Sequence, residues 1–246
     1  MPPATTIVVP CFNEAARLRP EGFRPLLERA GVTLLFVDDG STDDTAARLR
    51  EIAGAQVLSL ARNGGKSEAV RQGMLRALAD GAEITGYLDA DLATPADEMV
   101  RLLDTLVANP GIDTVLGSRV LLLGRDIRRR ASRHYLGRVF ATAASAVLGA
   151  PIYDTQCGAK LFRASAALEA ALADPFASRW AFDVELLARL FGRLGTRGAP
   201  TITPADVLEV PLDRWHDIAG SKLHLPGMAR AFADVLVLWV RARRRR

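Results

Sequence analysis

The sequence predicts an α/β protein built on a single, mainly parallel sheet flanked by helices. Two observations carry that expectation. Apolar runs rich in β-branched residues recur near 5–10, 32–38, 56–60, 84–89 and 112–117, with helically spaced segments between them. The polar clusters of the first half (10–14, 38–43, 62–67 and 89–91) all fall just after those runs. Right-handed crossovers gather parallel strand ends on one sheet edge, where such sheets bind ligands. With 246 residues, 49% hydrophobic and 24% charged, one large domain with a substantial core is expected. Residues 1–225 are read as that domain, with a nucleotide-binding half at 1–118 and an acceptor half at 119–225; 226–246 follow as an amphipathic, basic segment.

The first strand enters Thr6-Ile7-Val8-Val9 without a basic leader and hydrophobic region, so no signal peptide is read and a cytosolic chain is expected. The second runs into Asp38-Asp39-Gly40-Ser41, and Ser41 and Thr42 suit the cap of a helix over 42–52. Asp43 or Asp44 would serve its first turn. After the third come Arg62, Gly64-Gly65 and Lys66, at the start of a helix over 67–78. The fourth ends in Tyr87-Leu88-Asp89-Ala90-Asp91, and a helix over 97–107 leads to the fifth. Beyond 119 the alternation gives way to a basic connection, an apolar helix over 132–148, a loop over 154–160 and a helix over 181–191. Neither 136–150 nor 223–240 is a convincing membrane span: the first is short and carries Arg138, the second contains Pro226, Arg230 and Asp234. The segment 228–240 suits either an amphipathic helix in the headgroup region or a core-facing helix with a solvated tail.

The net charge of +4 is unevenly placed. Arg241 and Arg243 to Arg246 set aside, 27 of the 32 basic residues face 28 acidic ones, so the body is near neutral. A second concentration, Arg119, Arg125, Arg128, Arg129, Arg130, Arg133 and Arg138, faces only Asp126 within its own stretch. Both suggest an anionic partner. Neither interleaves aromatics with arginine and no nucleic-acid motif is present, so peripheral contact with anionic lipid at the inner membrane face is expected, not nucleic acid. Cys11 and Cys157 stand far apart, without a metal or disulfide pattern. No oligomeric state follows from the sequence.

Asp89 and Asp91 carry the sharpest chemical signal. Residues two apart on a strand point the same way, and paired acids at a strand exit repel unless they share a hard divalent cation, which can also bridge to substrate phosphates. The alternative is a solvated strand end. A dinucleotide-binding reading fails because Pro10-Cys11-Phe12-Asn13-Glu14 replaces the glycine-rich turn, and a P-loop reading fails because Leu60 stands where Gly65-Lys66-Ser67 would require glycine.

The segments IVVPCFNEAARL (7–18), VDDGSTDDT (37–45), RNGGKSEAVRQG (62–73) and YLDAD (87–91), in this order, resemble the family 2 glycosyltransferases of the GT-A nucleotide-diphospho-sugar transferase fold. DTQCGAKLF (154–162), FDVEL (182–186) and WHDIAGSKL (215–223) resemble the branch that glycosylates polyprenyl phosphates, of the dolichyl-phosphate β-glucosyltransferase type, with GDP-mannose-dependent mannosyltransferases as the alternative. The resemblance covers roughly 5 to 225 and implies an inverting hexose transfer, from UDP-glucose, onto a polyprenyl phosphate.

Under that resemblance, Asp38 or Asp39 accepts hydrogen bonds from nucleobase or ribose, Pro10 and Phe12 wall the base, and Glu14 contacts the nucleoside. Arg62, Lys66 and the Gly64-Gly65 N–H groups meet the donor diphosphate or sugar hydroxyls. Asp89 and Asp91 hold Mg²⁺ or Mn²⁺ on the diphosphate, Asp91 being the leading catalytic residue. Ala93 stands where related mannosyl enzymes place a further polar ligand. Arg119 and Arg133 hold the acceptor phosphate, and Lys222 closes on the donor. Asp183 is essential as a base if the acceptor is a sugar hydroxyl, and orients groups if it is a phosphate. Of Asp183 and Glu185, only one should line the site. His216 has a supporting role. Gln156 and Cys157 shape the sugar pocket, with no redox role read for Cys157. Outside catalysis, a nucleotide-sugar or membrane-binding module is the competing reading, which the intact acidic pair opposes.

Overall fold

The computed structural model describes residues 1–128, 131–218 and 225–244, the side chains of 131–136 and 225–230 excepted. Its main sheet has seven strands in the order β3-β2-β1-β4-β7-β5-β8. These are β1 Thr5–Cys11, β2 Val32–Asp38, β3 Ala55–Ser59, β4 Ile84–Leu88, β5 Thr114–Ser118, β7 Ala159–Arg163 and β8 Val207–Pro211. All neighbours pair parallel except β7, which runs antiparallel to both β4 and β5. Two short strands, β6 (Asp126–Arg128) and β9 (Arg214–His216), pair in a separate parallel ribbon. The helices are α1 Arg24–Leu27, α2 Thr45–Arg50, α3 Lys66–Ala79, α4 Ala96–Ala108, α5 Ala131–Leu148, α6 Ala166–Ala173, α7 Phe182–Leu190 and α8 Leu225–Arg243.

The unbroken apolar run of β1 follows from helices on both sheet faces. Ile7 and Val9 point into one core with Phe36, Met99 and Leu102; Val8 points into the other with Val37, Met74 and Phe182. Helix α4 buries Met99, Leu102, Leu103 and Leu106, the i, i+3, i+4, i+7 stripe of an amphipathic helix. Helix α8 packs on α5 and puts Val235, Leu238 and Ala242 into the second core. Among the described residues no helix is long and apolar enough to cross a membrane.

The five expected strands and the helices of the first half are present with ends shifted by a few residues. The largest shift is α2, expected from 42 and beginning at Thr45. Asp43 explains it: its carboxylate takes both the N–H and the hydroxyl of Thr45, holding residues 41–44 in a turn. The expected loop at 154–160 ends two residues early, because β7 begins at Ala159 and inserts between β4 and β5.

Candidate active site

The site assembles at the carboxyl ends of β1, β2 and β4. Strand β4 stops at Leu88, so Asp89 and Asp91 are not paired by strand alternation as expected. A turn brings them together instead: Leu92 takes φ 54°, and Asp91 Oδ1 accepts the Ala93 N–H at 3.0 Å. Burial raises the Asp91 pKa, and the Asp89 charge raises it further, against partial relief from the Ala93 N–H and Lys66. Lys66, at the first residue of α3, places Nζ 2.5 Å from Asp89 Oδ1. That contact is an ion pair at hydrogen-bonding distance. Desolvation of the ammonium pulls the Lys66 pKa down, but Asp89, Asp183 and Asp91 outweigh it and raise it, with 40% of the side chain still exposed.

Two acids gathered at one turn, the Asp89 charge acting on Asp91, fit a hard divalent cation. Among the described residues no cluster of three Asp, Glu, His or Cys completes a protein cage.

The side expected to take the nucleotide differs in detail from expectation. Asp38 Oδ1 accepts the Ser41 N–H at 3.1 Å, and both Asp39 oxygens are engaged, each by an N–H of Gly64 or Gly65 at 2.8 Å. The Gly64-Gly65 amides, expected to face the donor diphosphate, are thus turned onto Asp39. The crossing is tight: a Cβ on Gly40 would meet the Arg62 backbone at 2.7 Å. Burial raises the Asp39 pKa despite those two N–H groups. Glu14 pairs with Arg17 at 2.6 Å, and Thr45 Oγ1 accepts the Glu14 N–H at 2.8 Å, fixing the 12–15 turn over β2. Pro10 and Phe12 are half-buried beside it, and Arg62 is exposed.

On the side expected to take the acceptor, Arg119 does not stand free for a phosphate. It forks onto Asp154 at 2.6 and 2.8 Å, with its guanidinium 5.3 Å from the Trp215 ring. Burial lowers the Arg119 pKa, but Asp154 outweighs it and raises it. The same pairing reduces the basic stretch elsewhere: Arg125 pairs with Asp213, and Arg128 with Asp126 at 2.9 Å. The sequence hid this because Asp154 and Asp213 lie far along the chain. The Arg133 side chain and all of Lys222 lie outside the described residues. His216 Nε2 sits 2.7 Å from Asp126 Oδ2, and its backbone N–H reaches Ala93 O at 3.0 Å, tying the β9 ribbon to the Asp91 turn.

Asp183 enters the site from the first turn of α7, but its carboxylate is occupied. Oδ1 takes Lys160 Nζ at 2.7 Å and the Tyr87 hydroxyl; Oδ2 takes Gln156 Nε2 at 3.4 Å. Burial, then the Asp183 charge, pushes the Tyr87 pKa well up, keeping its hydroxyl a donor. Glu185 faces elsewhere, accepting from Ser178 N and Arg189. Cys157 is buried, and that burial pushes its thiol up to about 11, an unreactive state. Lys160 is the site residue that sequence reasoning missed. Its signals in the sequence were a lone lysine in an apolar run and its place within the DTQCGAKLF segment.

Comparison with known proteins identifies the family and the fold. The family model described as "Glycosyl transferase family 2" matches residues 6–169. A dolichyl-phosphate beta-glucosyltransferase of Trichomonas vaginalis is 32% identical over 94% of this chain and 69% of its own length. The human dolichyl-phosphate beta-glucosyltransferase is 32% identical over 89% of this chain, which again spans 69% of that relative. Among solved structures, glucosyl-3-phosphoglycerate synthase from Mycobacterium tuberculosis, crystallised with Mn²⁺, UDP and glucosyl-3-phosphoglycerate, superposes with a TM-score of 0.69 at 23% identity, covering 97% of this chain and 80% of its own. Mannosyl-3-phosphoglycerate synthase from Rubrobacter xylanophilus gives 0.70 at 19% identity, over 97% of this chain and 73% of its own. The matched family model and these relatives place the chain in glycosyl transferase family 2, with the GT-A fold.

Proposed function

We propose that this chain transfers glucose from UDP-glucose, with inversion, onto a polyprenyl phosphate at the cytosolic membrane face, giving a β-linked polyprenyl-phosphate sugar and UDP. The observation that carries the reading is the occupied Asp183. A sugar hydroxyl must lose a proton as it attacks, which requires a free base within reach. Asp183 gives Oδ1 to Lys160 and Tyr87, so it favours an acceptor that is already an anion. A phosphate monoester, with a second pKa of about 6, is one. The names of the dolichyl-phosphate relatives support the same acceptor and sugar.

Residues 1–118 serve the donor and 119–225 the acceptor. Pro10, Phe12, Glu14 and Asp38 line the nucleoside, with Asp39 acting through the 64–65 turn it clamps. Lys66, Arg62 and Lys222 supply positive charge to the diphosphate. Asp89 and Asp91 would hold Mg²⁺ or Mn²⁺, which when bound offsets the charge growing on the departing UDP. Arg133 is the remaining basic candidate for the acceptor phosphate, and Arg119 shapes that wall through Asp154.

The membrane contact is assigned to exposed apolar groups. Leu121, Leu122 and Leu123 are all exposed on the connection between β5 and β6, just past the sheet edge that carries the site. Arg241, Arg243 and Arg244 are exposed at the end of α8. Replacing the three leucines by serine should weaken sedimentation with phosphatidylglycerol-containing vesicles by about 100-fold, each leucine losing on the order of 1 kcal/mol of interfacial burial. Unchanged vesicle binding would remove the loop from the interface.

The defining assay incubates purified chain with radiolabelled UDP-glucose or GDP-mannose, Mn²⁺ and undecaprenyl phosphate. Label should enter the organic phase with UDP-glucose. No extractable label with either donor would sink the reading, and label from GDP-mannose alone would move it to mannosyl transfer.

A further inference from the structure

The floor of the site holds a buried ion pair whose groups take no part in the proton or phosphate chemistry. Lys160 is fully buried, 2.7 Å from Asp183 Oδ1, and its Nζ also donates to the Cys157 carbonyl at 2.5 Å. Taking two charges out of water is costly, and apolar replacement of such pairs is often neutral or stabilising. Stability alone therefore does not explain the pair. Its contacts hold geometry instead.

Lys160 lies opposite Tyr87 on the neighbouring strand and reaches back three residues to fix the carbonyl of Cys157. The next residue, Gly158, accepts the Asp89 N–H at 3.0 Å. It also presses on the Asp89 carboxylate, since a Cβ on Gly158 would stand 2.2 Å from Oδ2. Through Gln156, Asp183 holds the far side of the same turn. A single carboxylate on α7 thus gathers donors from both strands that frame Asp89: Tyr87 on β4, and Lys160 with Gln156 at the entry to β7.

We propose that Lys160 and Asp183 are positioning residues whose pair clamps the 156–158 turn against Asp89, and so fixes the direction in which that carboxylate meets a cation on the donor diphosphate. The proposal rests on the reading of Asp89 given above. Groups that orient a metal-binding residue from behind are typically worth 10- to 100-fold in metal affinity.

The test titrates UDP into the full chain by calorimetry, with and without Mn²⁺. Lys160→Met and Asp183→Asn should lose about 10- to 100-fold of the Mn²⁺-dependent gain in UDP affinity and keep the metal-free affinity. Gly158→Ala, which sets a methyl against the Asp89 carboxylate, should show the same loss with the ion pair intact, and Gln156→Ala, which frees the turn from Asp183 without removing a charge, should show part of it and keeps the clamp testable if either charge variant fails to fold. In turnover, kcat/KM of Asp183→Asn should fall by one factor at every pH, with an unshifted profile and an unchanged KM for the lipid acceptor. The proposal is overturned by Gly158→Ala binding Mn²⁺ and UDP like the wild type. It is equally overturned if Asp183→Asn binds normally but loses the acid limb of its rate profile, which would make Asp183 a base. A wild-type chain showing no Mn²⁺-dependent UDP binding would instead refute the functional reading itself.

Discussion

Replacing Asp91 by Asn is expected to lower transfer by about 10²- to 10³-fold or more while leaving the melting temperature unchanged or raised. The two halves of this result have one cause. Burial and the Asp89 charge raise the Asp91 pKa, so the ionised form that a cation requires is held at a cost to the fold. The sign follows by linkage. A carboxyl whose folded pKa is raised favours the fold while it is protonated, and that contribution is lost as pH rises through the folded pKa. At neutral pH the amide removes the penalty together with the ligand. Added Mn²⁺ and UDP should raise the melting temperature of the wild type through binding to the folded state, and should raise that of the variant far less. Acidification should weaken Mn²⁺-dependent UDP binding at a pH above the ordinary carboxylate range. Near-normal turnover in Asp91→Asn would remove this residue from the site.

Gly86→Ala should be the most damaging single methyl in the sheet. Gly86 sits in the middle of β4, between β1 and β7 with both faces covered, and a Cβ there would lie 2.0 Å from the Lys160 carbonyl oxygen and 2.9 Å from Leu161 Cα. Both are backbone atoms, so no side-chain rotation relieves the clash. The strands must part, and with them the β4–β7 pairing that frames Asp89. A loss of about 3 kcal/mol or more is expected, on the order of 6–12 °C in melting temperature for a chain of this size. Gly111→Ala is the control: nothing lies within 4 Å of its Cβ and its φ is not positive, so its melting temperature should hardly move. Equal melting temperatures for the two variants would contradict the packing described for β4.

Much of the first half was legible because its signals are local. In a run such as Ile7-Val8-Val9 burial on both faces shows in the residues themselves, and the polar clusters at 10–14, 38–43, 62–67 and 89–91 must meet at one edge once the strands run parallel. The second half was less so. Strand β7 is short, and its antiparallel insertion between β4 and β5 depends on pairings between distant segments of the chain, such as Tyr87 with Lys160 on one side and Leu116 with Lys160 on the other.

From the sequence alone came the fold class and the sheet edge at which the polar clusters meet, since residue type and spacing determine them; the turn that brings Asp89 and Asp91 together came from the structure. Only the tertiary structure decided which charges are spent. Asp39 turns to the Gly64 and Gly65 amides, Arg119 to Asp154, and Asp183 to Lys160 and Tyr87. A charged side chain's partner is set by which distant segments the fold brings within about 3 Å of it, and no local pattern encodes that distance.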